Sequence, residues 1–105
     1  MSFFCHCLRE ENEMTKFEEL ELREDILKGI RELGFEEAFP IQEAVIPVLL
    51  TGRDVVGQAH TGSGKTAAFA LSMLQEIQPK NGIQGLIMAP TRELAMQITD
   101  EIKKF

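Results

Sequence analysis

The segment DVVGQAHTGSGKT, residues 54–66, decides the fold that the sequence predicts. Residues 54–59 are short, apolar and partly β-branched, which is typical of a buried parallel strand. Residues 60–64 are rich in glycine, as a tight loop requires. Apolar residues then recur at helical spacing at Ala67, Ala70, Leu71, Leu74 and Ile77. A strand, a loop and a helix in this order predict the first β-α unit of an α/β domain.

The sequence on both sides extends this pattern. Apolar residues between positions 22 and 33 recur at helical spacing before Gly34, and a second helix is predicted to begin at Pro40. Residues 85–89 form a second apolar run of strand length, and Thr91 begins a last helix. The residues of that helix predicted to face the core are Leu94, Ala95, Ile98, Ile102 and Phe105. The order predicts a parallel β-α-β unit preceded by two helices.

Composition excludes several classes of protein. The 105 residues include 17 acids and 11 bases, for a net charge of −6, with 44% apolar residues. No apolar run approaches the length of about 20 residues that spans a bilayer, and the N-terminus lacks the basic region of a signal peptide. Two closely spaced cysteines favour a reducing compartment, so a cytoplasmic location is predicted. Because the chain is acidic, any contact with nucleic acid must be local.

The first 13 residues differ in character from the rest. They show no regular periodicity, and Cys5-His6-Cys7 lacks the second ligand pair of a zinc site. A disordered leader is therefore predicted over residues 1–13, with translation starting at Met14. The domain proper is predicted to span residues 14–105.

Residues 61–66, TGSGKT, have the properties of a phosphate-binding loop. The two glycines allow successive backbone N–H groups to point into one concavity at the start of a helix. Lys65 can reach the phosphates, and the Thr66 hydroxyl can ligate Mg²⁺. The strict G-x-x-x-x-G-K-[ST] pattern fails only at its first position, which is Ala59.

Three stretches together resemble the DEAD-box family of ATP-dependent RNA helicases. Residues 34–42, with Phe17 seventeen positions before Gly34, look like the Q motif and its upstream aromatic. Residues 59–66 are similar to the family's phosphate loop, including alanine at the first position. Residues 90–95, PTRELA, have the form of motif Ia. The resemblance implies a truncated RecA-like domain, of the P-loop NTPase class, in which residues 14–105 form the N-terminal half of the first helicase domain.

The resemblance also implies roles for individual residues. Gln42 would hydrogen-bond the adenine edge, Phe17 would stack on adenine, and Lys65 would make the one catalytic phosphate contact. ATP and Mg²⁺ would be the cofactors, and RNA would be held through its phosphate backbone, without sequence recognition of DNA. The implied nucleotide contacts are Phe17, Gln42, Ala59, His60, Thr61, Gly62, Ser63, Gly64, Lys65 and Thr66. The implied RNA contacts are Pro90, Thr91 and Arg92.

Two departures limit what the chain is expected to do. The family commonly has Pro then Thr or Ser where this chain has Ala38 and Phe39, so a hydroxyl beside the phosphate loop is missing. The D-E-A-D tetrad does not occur in the 105 residues, so this chain is expected to bind ATP without hydrolysing it. The alternative is a small non-catalytic protein, derived from a helicase, that binds a nucleotide or a partner.

Overall fold

The structure is a computed structural model that describes the backbone of residues 2–6 and, with their side chains, residues 15–79 and 82–105. The elements in chain order are β1 (Ser2–His6), a 3₁₀ helix (Phe17–Leu20), α1 (Glu24–Glu32), α2 (Pro40–Leu50), β2 (Asp54–Gln58), α3 (Lys65–Glu76) and α4 (Arg92–Ile102). The four predicted helices and the strand before the loop are therefore present.

The core forms where α1, α2 and α3 meet. One residue from each of these helices, Ile30, Ile46 and Leu71, is completely buried. Gly34 ends α1 in the left-handed conformation (φ 78°) that favours glycine. Pro40 opens α2, where its missing N–H costs nothing. Because α2 and α3 pack closely together, the N-terminal turn of α2 can reach the loop that precedes α3.

The two strands form a parallel sheet. Ser2 pairs with Asp54, and the register continues to His6 opposite Gln58. The prediction of a disordered leader is therefore wrong for Ser2–His6, because its pairing with β2 is a long-range interaction that local periodicity does not reveal. The start at Met14 and the side chains of Cys5, His6 and Cys7 lie outside the described residues.

The prediction that β2 is buried is wrong for most of its length. Only Val55 is partly covered, and Val56 is exposed. On one face α2 packs against the strand, since a Cβ added at Gly57 would lie 3.5 Å from Ile41 and 3.6 Å from Val45. Among the described residues, no comparable layer covers the rest of the strand.

The second predicted strand, residues 85–89, does not form. Residues 83–89 have no regular secondary structure, and Ile83, Leu86 and Met88 are exposed. A strand exists only with a partner for its backbone N–H and C=O groups, and the described residues supply none here. The segment has the apolar composition of a strand, but composition alone does not supply a pairing partner.

The inward face of α4 is smaller than predicted. Ile98 is the one buried residue of α4, Ile102 is partly buried, and Leu94 and Ala95 are exposed. Phe105, beyond the end of the helix, is also partly buried. Among the described residues, α4 packs mainly on α3, and Phe105 packs against the main core. No helix in the described part of the chain is long and apolar enough to cross a bilayer.

Candidate nucleotide-binding site

The phosphate loop lies between the end of β2 and the start of α3. Gly62 and Gly64 have φ values of 82° and 83°, a conformation that costs other residues about 1–2 kcal/mol. His60 and Thr61 are exposed at the tip of the loop, and Ala59 is partly buried. The two glycines thus have the backbone freedom that the sequence predicted for them.

The start of α3 is suited to an anion. Its N-cap residue, Gly64, has no side chain to cap the helix, and the first turn carries no acidic residue. The first N–H groups of a helix have no partner within the helix, and its dipole adds positive potential there. The helix start therefore presents donors and positive potential to a phosphate.

Lys65 reaches back across the loop. Its Nζ donates to the carbonyl oxygen of Ala59 at 2.6 Å, and the side chain is exposed. The ammonium is therefore held at the mouth of the loop by a neutral acceptor. A phosphate oxygen is the stronger acceptor for a charged donor, so a phosphate would compete well for this group.

The loop also contains an unsatisfied hydroxyl. Ser63 Oγ is buried, and no hydrogen-bond partner for it lies among the described residues. A buried polar atom without a partner costs about 1–3 kcal/mol. A phosphate oxygen, or a change in the loop that accompanies phosphate binding, would satisfy it. The loop residues therefore fit a polyphosphate, and the partly buried Thr66 has the hydroxyl type that ligates Mg²⁺.

Gln42 lies beside the loop, but the protein itself occupies its amide. Its Oε1 accepts from the backbone N–H of Phe39 at 2.9 Å, and its Nε2 donates to the carbonyl oxygen of Gly64 at 3.2 Å. The side chain is 3% exposed. Gln42 therefore ties the first turn of α2 to the last residue of the loop, a connection that the sequence did not reveal.

Phe39, which immediately precedes α2, also contacts the loop. It is the N-cap of the helix, and its ring cannot accept the hydrogen bond that a Ser or Thr hydroxyl would accept there. A Cβ added to Gly64 would lie 2.7 Å from Phe39 Cδ2 and would overlap Gln42 Nε2. The residue as a whole is 44% exposed. The motif predicts only a missing hydroxyl at this position, and the signal for the contact is the aromatic residue three positions before Gln42.

Phe17 lies elsewhere. Its ring is 5% exposed and packs in the main core. It lines a cavity of about 320 Å³ together with Phe35 and Arg31, and no residue of the phosphate loop lines that cavity. The structure therefore does not bring Phe17 and the loop together in one pocket.

The predicted RNA contacts begin α4. Thr91 is the N-cap, and its Oγ1 accepts from the N–H of Leu94 at 3.2 Å. Arg92, the first residue of the helix, is exposed, and so is Pro90. The Thr91 hydroxyl therefore stabilises the helix start, while the Arg92 guanidinium lies at the surface.

Arg23 fixes the far end of α3, a contact that the sequence did not predict. Its Nη1 donates to Ile77 O at 3.0 Å and its Nη2 to Leu74 O at 3.3 Å. Asp25 pairs with the same guanidinium at 3.2 Å. A cation at a helix C-terminus binds carbonyls that have no helical partner, so the helix that carries the loop is held at both ends.

Comparison with known families identifies the class of protein. The family model described as DEAD/DEAH box helicase matches residues 39–105, more than half of the chain. The chain belongs to the DEAD/DEAH box helicase family. This confirms the resemblance that the three motifs indicated.

Particular relatives share high identity. ATP-dependent RNA helicase CshA of Listeria monocytogenes is 56% identical over 92 residues, which cover 87% of this chain and 18% of that protein. DEAD-box ATP-dependent RNA helicase RhpA of Helicobacter pylori is 53% identical over 88 residues, which cover 84% and 18%. The chain thus spans less than a fifth of the length of these curated relatives.

Solved structures agree on the fold. The crystal structure of a DEAD box protein from Methanococcus jannaschii superimposes with a TM-score of 0.80 at 48% identity, covering 85% of this chain and 25% of that one. Saccharomyces cerevisiae Dbp5 bound to RNA and ADP BeF3 gives 0.80 at 39% identity, covering 85% and 24%. The fold is that of part of a RecA-like helicase domain, as the sequence predicted.

Proposed function

We propose that this chain is the ATP-binding N-terminal part of an ATP-dependent RNA helicase. The observation that carries the proposal is the phosphate loop, in which left-handed glycines, an uncapped helix start and the Lys65 ammonium converge. Membership of the DEAD/DEAH box family supports ATP as the ligand.

The loop residues would divide the work of holding the nucleotide. The N–H groups at the start of α3 and the Lys65 ammonium would bind phosphate oxygens, because both carry positive potential. The Thr66 hydroxyl would ligate Mg²⁺, which would offset the charge of the phosphates when bound. Ser63 would gain the hydrogen-bond partner that it lacks.

The base would be read by Gln42, whose amide offers a donor and an acceptor side by side. To do so, the amide must exchange its bonds to Phe39 and Gly64 for bonds to the base. Phe17 would have to expose its ring to stack on adenine, since it is now covered by the core. Both roles follow from the family resemblance and rest on these rearrangements.

RNA would be held at the start of α4. The exposed Arg92 guanidinium would bind a phosphate oxygen of the RNA backbone, next to Pro90 and Thr91.

The 105 residues lack the D-E-A-D acids, so the chain by itself would bind nucleotide without turnover. Unwinding of RNA would require a longer protein, because the chain spans less than a fifth of the length of its curated relatives.

Titration calorimetry of the purified 105-residue chain with ATP and Mg²⁺ tests the proposal. We expect weak binding, with a Kd on the order of a millimolar, that Lys65→Ala abolishes. The matched control is Lys28→Ala, because Lys28 is an exposed lysine on α1 whose nearest acidic partner is Glu32 at 3.9 Å. The proposal is refuted if ATP does not bind, or if the two variants bind it equally well.

A further inference from the structure

The ring of Phe39 occupies an unusual position for an exposed phenyl group. It lies against Gly64, the residue that immediately precedes the first turn of α3. Nearly half of the surface of the Phe39 residue remains exposed. Single exposed apolar residues are ordinary on protein surfaces, but this one borders the loop whose helix start and lysine are suited to bind an anion.

The same position carries a cost to the helix. At the N-cap of α2 a hydroxyl would accept a backbone N–H and stabilise the helix, whereas a phenyl ring has no acceptor. Gln42 makes only the returning half of a capping box, by accepting from the N–H of Phe39. The ring therefore contributes nothing to capping, and its exposed face is available to a ligand.

We propose that the Phe39 ring stacks on the base of the nucleotide whose phosphates the loop holds. Phe17 is buried in the core, whereas Phe39 is an aromatic with an exposed face in direct contact with the loop. Aromatic side chains and bases stack through their π faces with little dependence on which base is present. This inference rests on the proposed nucleotide binding and adds a base contact that the predicted site did not include.

Two ligands separate the base contact from the phosphate contact. ATP carries both groups, whereas inorganic tripolyphosphate carries only the phosphates. Phe39→Leu keeps an apolar side chain against Gly64 but removes the aromatic face. We expect this variant to weaken ATP binding about fivefold or more and to change tripolyphosphate binding less than about twofold. A purely structural role for the ring would weaken both ligands equally, which would overturn the inference.

Phe39→Trp supplies a second measurement that does not depend on the loss of a contact. The chain contains no Trp and no Tyr, so the introduced indole is the one strong fluorophore. We expect this variant to bind ATP at least as tightly as the unaltered chain, with its emission quenched by ATP and unchanged by tripolyphosphate. Equal responses to the two ligands would contradict stacking on the base.

The outcomes also distinguish this inference from the proposed function. If the unaltered chain binds neither ATP nor tripolyphosphate, the proposed function fails and the inference fails with it. If it binds both, Lys65→Ala abolishes both, and Phe39→Leu leaves the affinity for ATP unchanged, the proposed function stands and the stacking inference is wrong. Circular dichroism of each variant confirms that the helices are retained.

Discussion

Replacing Gly64 with alanine tests how tightly α2 and the phosphate loop are joined. A Cβ at this position would overlap Gln42 Nε2 and lie 2.7 Å from the ring of Phe39. Gly62 offers a matched control, because its φ of 82° is nearly the same as the 83° of Gly64, and nothing lies within 4 Å of an added Cβ. Both substitutions impose the same backbone strain, but only Gly64→Ala also displaces neighbouring side chains.

The magnitudes follow from these contacts. Alanine in the left-handed region costs about 1–2 kcal/mol, partly offset by the smaller entropy of the unfolded chain. We expect Gly62→Ala to lower the free energy of unfolding by about 1 kcal/mol. Gly64→Ala also breaks the hydrogen bond from Gln42 Nε2 to Gly64 O and leaves this buried donor without its acceptor, although Oε1 keeps its bond from Phe39 N. The loss adds roughly 2 kcal/mol. The difference corresponds to about 10 °C in Tm for a domain of this size.

Urea and thermal unfolding followed by circular dichroism at low micromolar concentration would measure the difference. A larger loss for Gly64→Ala, together with faster hydrogen exchange in the first turn of α2, would support the coupling. Equal losses for Gly62→Ala and Gly64→Ala would refute it, because the packing of Gln42 and Phe39 against the loop would then contribute nothing to stability.

Three further predictions concern other parts of the chain. Arg23→Ala removes two hydrogen bonds to the last carbonyls of α3, and we expect a loss of about 1–2 kcal/mol in thermal unfolding; a loss no larger than that of Arg31→Ala, which removes only exposed ion pairs, would contradict this. Arg92→Ala should weaken binding of single-stranded RNA and lower its salt dependence by about one released ion, as measured by fluorescence anisotropy. An equal effect of Lys103→Ala, at the other end of α4, would argue against a contact at the helix start. The exposed apolar side chains of segment 83–89 favour association between copies of the chain, so Leu86→Lys, which places a charge where Leu86 is 79% exposed, should reduce association measured by sedimentation. An unchanged degree of association would contradict this role of the segment.

The local elements could be predicted because each is specified by neighbouring residues. Pro40 marks the start of α2, Gly34 ends α1, and the glycine spacing places the loop before α3. Capping, proline geometry and glycine conformations act within a few residues. Sequence patterns are therefore sufficient at these points.

The sheet could not be predicted in the same way. Residues 85–89 have the composition of a strand without a partner, whereas Ser2–His6 has no recognisable pattern but pairs with β2. Pairing is decided by which segments meet in space, and periodicity within one segment carries no information on that.

The sequence predicts which residues form the candidate site, but it does not predict their contacts. The motif indicated that Gln42 belongs near the nucleotide, and the structure places it against Gly64. The motif did not indicate that both polar atoms of the Gln42 amide are already hydrogen-bonded within the protein, or that the ring of Phe39 contacts the loop. Hydrogen bonds between residues 22 positions apart depend on how two helices pack, which the motif does not encode.

The two hydrogen bonds that the Gln42 amide makes within the protein affect the affinity for a base. In the proposed role, its amide can meet a base only after leaving Phe39 N and Gly64 O, so the protein exists as a majority that cannot read the base and a minority that can. Two hydrogen bonds of about 0.5–1.5 kcal/mol each separate these populations by roughly 1–3 kcal/mol. The apparent affinity for the base is then lower than the intrinsic affinity by about 5- to 150-fold. A substitution that releases the amide would therefore tighten nucleotide binding without adding any contact to the nucleotide.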